Sequence, residues 1–487
     1  MPPVLAHPFT PSATRSPVLS STNMPAARPV LRSAAGIAVG RVWFGFAIGS
    51  LVLAGLLSLT LVVGRLPFLG AVFTDPLFFK RALVVHVDLA LVVWFQAGAA
   101  AFLGLALGRV LPRRLVGLSF ALAGAGLVGL LAGALMPGAE PILANYVPVI
   151  DHPVFLTGLA AWLVGTGLFF TLTLTARPDA DTGLPADVLV ALRAAAAGNL
   201  IALATFAVAW RTTLSGLPAI GFYELVMWGG GHALQAANVA LMLALWLLLL
   251  QRWSGRSVLT PSASAGLLGA LILPHGMLPF VAALGTSNGA YVELSTDLMR
   301  WTLFPVILIV LGLGLRHWRL HRRAVAAGED SYRLAGFAGS ATLAALGLIL
   351  GAMIRGSNTL VPGHYHAAIG AVTLALMTAA YDFCRAVSPR EVAARAIAGA
   401  RHQLLIFGAG QAVFALGFAI AGLHGLGRKQ YGVEQHVRTA GEYLGLGVMG
   451  FGGALAVVGG LLFLAAMLRC AAAWRTSSLS LNTTTQS

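Results

Sequence analysis

The chain has 487 residues, of which 58% are hydrophobic and 10% charged, and its mean hydropathy is +0.85. Of the broad protein classes, only an integral membrane protein fits that balance. The formal net charge of +15 does not point to nucleic acid, because the basic residues are spread through short loops between apolar runs. Cys384 and Cys470 stand too far apart for a CxxC site, and the chain has no CxxCH for covalent haem attachment.

Residues 1–40 are rich in Pro, Ser and Arg, lack acids, and read as a disordered basic cytoplasmic tail. An organelle-targeting segment, or a true start at Met24, is equally compatible with that composition. Twelve apolar runs of spanning length follow within 41–470: 42–64, 82–107, 115–136, 154–176, 194–212, 221–250, 264–285, 298–315, 335–354, 363–384, 402–424 and 441–468. Residues 471–487 read as a polar cytoplasmic tail. The expected fold is therefore all-α, a polytopic bundle of about twelve transmembrane helices.

With the N-terminus inside, 22 of the 31 Lys and Arg residues fall on the cytoplasmic side, which is the distribution the positive-inside rule favours. Both termini are then cytoplasmic, and even-numbered spans run from outside to inside. His86 in the second span, His232 in the sixth, His275 late in the seventh, and His364 with His366 opening the tenth share a depth toward the outer side. A single membrane histidine is ordinarily a hydrogen-bonded packing residue. Five at one level all need partners, and metal or haem ligation supplies them. At about 100° per residue, His364 and His366 face nearly opposite sides of their helix, so each suits a different cofactor.

On Gly363-His364-Tyr365-His366 and the twelve spans, roughly residues 40–470, the chain resembles the catalytic subunit of the haem-copper oxidase superfamily, which includes cytochrome c oxidases and nitric oxide reductases. The resemblance implies that His364 ligates a five-coordinate, high-spin catalytic haem and that His366 ligates a low-spin haem. His86, in Val85-His86-Val87-Asp88-Leu89, matches the low-spin haem's second axial ligand. Arg428 and Lys429, in Gly427-Arg428-Lys429-Gln430-Tyr431, match a basic pair that binds haem propionates.

At the non-haem metal the chain departs from the family's copper oxidases. His232, in Gly229-Gly230-Gly231-His232, matches the first ligand, whereas the seventh span offers Pro274-His275-Gly276 in place of an adjacent histidine pair. Two nitrogens seldom hold a catalytic metal; Gln235, Asn238 and Glu224 are candidates for a third donor, and an oxygen donor would suit iron better than copper.

Oxygen-reducing relatives carry a tyrosine joined to a metal-site histidine, one turn past the sixth-span histidine or on the seventh span. Here position 236 is Ala, the run Ser264 to Pro274 has no Tyr, and the eighth span lacks a channel lysine. The resemblance thus favours a redox subunit with two haems that reduces NO in preference to O2, with Glu224 as the acid that relays protons from the outer side. Asp297 and Glu293 also lie near outer helix ends on that route, although Glu293 reads rather as an interfacial charge, and Trp94, Phe95 and Trp228 as packing residues. A cupredoxin-like or cytochrome c-type subunit on the outer face is implied as electron donor. A secondary transporter and a non-catalytic haem electron-transfer protein are the alternatives, although no half-to-half repeat is visible. The implied location is a bacterial inner membrane.

Overall fold

The computed structural model describes residues 33–66, 76–179, 182–323, 331–429 and 435–483, which belong to one compact unit. Most of the expected N-terminal tail, Met24 included, lies outside the described residues, as do Gln430 and Tyr431 of the basic loop. Among the described residues, twelve helices are long and apolar enough to cross a membrane. They are α1 Ala34–Arg65, α2 Leu77–Leu107, α3 Arg113–Ala134, α4 Pro153–Thr175, α5 Ala186–Thr212, α6 Ala219–Ser254, α7 Pro261–Ala283, α8 Gly289–His321, α9 Ser331–Met353, α10 Leu360–Val387, α11 Ala400–Leu423 and α12 Ala440–Trp474.

All twelve expected spans are present, and most extend beyond the apolar run into their polar flanks. The first begins at Ala34, capped by the Ser33 hydroxyl, which accepts from the Gly36 N–H at 3.0 Å. The last continues as helix to Thr483, over residues that read as a polar tail. Two elements carry too little hydropathy to be seen in sequence. One is a short amphipathic helix, Arg390–Ala398, between α10 and α11. The other is an antiparallel hairpin between α3 and α4, in which β1 Glu140–Ile142 pairs with β2 Val149–Asp151.

The layering places three of the four histidine-bearing helices inside, with α7, which carries His275, at the periphery. The most apolar windows of α2, α6 and α10 are 89%, 89% and 83% buried, against 28% for α1 and α3 and 33% for α7 and α8. A helix that is apolar on every side is a central one in such a bundle. Small residues let neighbours approach: a Cβ on Gly417 of α11 would lie 2.2 Å from the Met449 nitrogen of α12. Away from the histidines, Arg333 of α9 and Asp382 of α10 form a buried ion pair at 2.6 Å, to which the Tyr332 hydroxyl donates at 2.7 Å.

Candidate functional site

Four of the five histidines are held in the same way. The Nδ1 of His86 lies 2.8 Å from the Ala54 carbonyl of α1, and that of His364 2.7 Å from the Gly347 carbonyl of α9. On their own helices, His232 Nδ1 meets the Trp228 carbonyl at 2.7 Å and His275 Nδ1 the Leu271 carbonyl at 3.0 Å. A carbonyl only accepts, so each Nδ1 carries the proton and each Nε2 keeps its lone pair. That is the tautomer a ligand imidazole needs, and a backbone carbonyl behind the ring is the usual support of a metal-bound histidine.

His366 is positioned by rings. It stacks on Phe418 at 5.4 Å with planes 5° apart and meets Phe414 edge-on at 4.7 Å. His86 and Arg65 are near enough to interact with it electrostatically. The structure therefore brings the expected low-spin pair, His86 and His366, together. Two residues past His86 the helix widens into a π turn, Asp88–Val93. Asp88 is 1% exposed, and neither carboxylate oxygen has a hydrogen-bond partner among the described residues.

His232 and His275 also come together, close enough to sense each other's charge. His275 sits in a tight turn, Leu273–Met277, where Pro274 and Pro279 interrupt the regular helix of α7. It is fully buried, and its Nε2 has no hydrogen-bond partner among the described residues. The Nε2 of His232 is engaged: the Tyr146 hydroxyl, from the hairpin loop, lies 2.9 Å away. Since Nε2 is the acceptor, the phenol donates.

Tyr146 is the residue that the sequence did not disclose. Its backbone is left-handed, with φ +68°, a conformation uncommon outside glycine. Its ring lies against Gly231, where a Cβ would come within 2.3 Å of the Tyr146 Cβ. The neighbouring glycines serve other rings, Gly229 that of Tyr291 and Gly230 that of Phe206. Three adjacent glycines on α6 thus admit three aromatic side chains around the helix, of which Tyr146 reaches His232. Burial and the nearby Glu224 carboxylate push the Tyr146 phenol above its usual range, with Arg428 opposing, so at neutral pH it is a neutral donor. A second π turn, Met299–Leu303 in α8, sets the Met299 Sδ 3.8 Å from the same hydroxyl.

The charged residues singled out in the sequence surround this hairpin. Glu224 accepts from the backbone N–H of Asn145 at 3.0 Å and from its side-chain amide. Tyr223 donates to Asp151 at 2.6 Å, Arg81 to the Ala139 carbonyl at 2.8 Å, and Lys429 to the Leu143 carbonyl at 2.6 Å. Burial lowers the Lys429 ammonium from its ordinary value, partly offset by Glu224. Arg428 meets the Ser357 hydroxyl at 2.9 Å. Gln235, one turn beyond His232, is half-buried. Among the described residues, no three His, Cys, Asp or Glu side chains converge to hold a metal ion.

For haem, the donor set fits: half-buried imidazoles stand on central helices, and those of His86 and His364 present Nε2 lone pairs. For a non-haem metal, His232 and His275 fit as two donors.

No family model matches the chain. A protein of Aquifex aeolicus (strain VF5), described only as uncharacterized, is 28% identical over 349 residues, covering 70% of this chain and 83% of its own. The uncharacterized protein RP382 of Rickettsia prowazekii (strain Madrid E) is 23% identical over 489 residues, covering 87% and 94%. Among solved structures, a heme-copper terminal oxidase dimer matches with a TM-score of 0.65 at 14% identity, covering 90% of this chain and 84% of that one. The chain therefore has the fold of a heme-copper oxidase: a multi-pass, twelve-helix membrane bundle.

Proposed function

We propose that the protein is a respiratory redox subunit that holds two haems and reduces a small gas, nitric oxide ahead of dioxygen. The observation that carries this reading is the common presentation of four buried or half-buried histidines, with Nδ1 protonated onto a backbone carbonyl and Nε2 left as a lone pair. His86 and His366 are the axial ligands of a low-spin haem, and His364 is the ligand of a second haem. The haems supply electron transfer and an open coordination position for the gas.

His232 and His275, with Gln235 as a further candidate, hold a non-haem iron or copper. Arg428 and Lys429 neutralise haem propionates, and Glu224 is the acid through which protons enter from the outer side. The electron donor is a cupredoxin-like or cytochrome c-type subunit at that face. Both termini are then cytoplasmic, in a bacterial inner membrane.

Nitric oxide ranks first because the metal side lacks the helix-borne tyrosine and the second histidine of the α7 pair. One observation favours dioxygen as a second reading: a phenol, that of Tyr146, does stand 2.9 Å from a metal-site imidazole, although it comes from a loop. Both are tested on purified protein by oxidised, reduced and CO-bound absorption spectra, followed by anaerobic NO consumption and aerobic O2 consumption with an artificial reductant. Two haems, one CO-reactive, with NO turnover would support the first reading. Turnover of O2 alone would move the assignment to the second, and absence of haem would remove both.

A further inference from the structure

We propose that Tyr146 is the third protein ligand of a non-haem iron, held together with His232 and His275. The inference rests on the reading of those two histidines as metal ligands, and it names the donor which that reading lacks.

Two imidazole nitrogens and a phenol oxygen have complementary needs, with His275 near enough to His232 to act on its charge. The lone pair of His275 Nε2 is buried without a partner among the described residues, which is unfavourable if left so. The lone pair of His232 Nε2 is occupied only by the Tyr146 proton, at an N···O distance of 2.9 Å. With metal–donor bonds of about 2.0–2.1 Å, two donors at right angles on one ion lie about 2.9 Å apart. A metal ion can therefore replace the proton between Tyr146 and His232 without moving those two heavy atoms. The O–H bond breaks, an iron–oxygen bond forms, and one proton leaves to water.

The local backbone supports a specified placement rather than a chance contact. Tyr146 is held in the left-handed region, its ring fills the space opened by Gly231, and Glu224 fixes the preceding residue through two hydrogen bonds. Two imidazoles and a phenolate make the three-ligand set usual for open catalytic sites, and the anionic oxygen selects ferric iron over a soft cuprous ion. The Met299 thioether, 3.8 Å from the hydroxyl, is the soft donor that would reverse this choice.

The test uses the full-length, haem-loaded protein grown with ordinary or ring-deuterated tyrosine, loaded anaerobically with ferrous iron and then oxidised. Metal analysis should give one iron per chain beyond haem iron. Resonance Raman excitation away from the main haem bands should show phenolate ring modes that shift on deuteration. Tyr146→Phe should abolish those modes and weaken non-haem iron binding at least about tenfold, with both haem spectra retained as the check on folding. Tyr146→His, which restores a donor, should bind iron again without phenolate modes. Iron bound without phenolate modes, or held equally by Tyr146→Phe, overturns the tyrosine ligand while leaving the two-histidine site standing. Failure of the haem-loaded protein to bind iron overturns both, and copper in place of iron overturns the choice of metal.

Discussion

The His86–His366 region and the His232–Tyr146 region are built from different materials. The first comes wholly from long membrane helices: His86 on the central α2, His366 on the central α10, and a wall of Phe414 and Phe418 on α11. The second combines a central helix, a proline-broken turn on a peripheral one, and a hairpin outside the helices altogether. A ligand pair on buried helices inherits its geometry from bundle packing. A site finished by a loop depends instead on a handful of hydrogen bonds, each separable by mutation.

The largest expected effect breaks the comparison on its helical side. His366→Ala or His86→Ala should abolish the low-spin haem signal and spare the CO-reactive one, while His364→Ala should do the reverse, read from reduced and CO-difference spectra. Loss of both signals in either variant would mean that the two regions are not independent.

Gly231→Ala comes next. The new methyl would collide with Tyr146, so the loop must withdraw or the helix shift, at a cost of about 1–3 kcal/mol. Thermal unfolding should report a loss of that order, with the low-spin spectrum unchanged.

Glu224→Gln should have a similar or smaller effect, because it leaves one carbonyl oxygen for two Asn145 donors. About 1–3 kcal/mol of local protection should be lost. Hydrogen exchange should rise across residues 139–151 and not along α2 or α10. Lys429→Met removes one bond to the Leu143 carbonyl and should loosen the same segment by about 1 kcal/mol. If exchange is unaltered in both variants, the hairpin is held by its strand pairing alone.

The same contrast explains what could be read from the sequence. Hydropathy over some twenty residues is a strong signal, so all twelve membrane helices were legible, and so were the five histidines, which stand out in apolar surroundings. The hairpin was not, because three-residue strands leave no periodicity and its pairing is fixed by tertiary contacts from Arg81, Tyr223, Glu224 and Lys429. Tyr146 was sought on the helices flanking the metal site and lies in a loop some 86 residues upstream of His232. The run Gly229-Gly230-Gly231 was a usable hint. Glycine weakens a helix by about 1 kcal/mol per residue, so three together imply something large pressed against that face.

The carbonyls behind the four imidazoles also bear on how the protein is assembled. Ring rotation and tautomer choice at His86, His232, His275 and His364 are settled by contacts the polypeptide makes with itself. Any group that bound through these imidazole nitrogens would therefore meet side chains whose rotational freedom was surrendered during folding, and its capture would not be burdened by ordering them. His366 meets the Phe414 and Phe418 rings instead, which set its ring plane without choosing its tautomer. Of the five, it is the one whose tautomer a bound group would set.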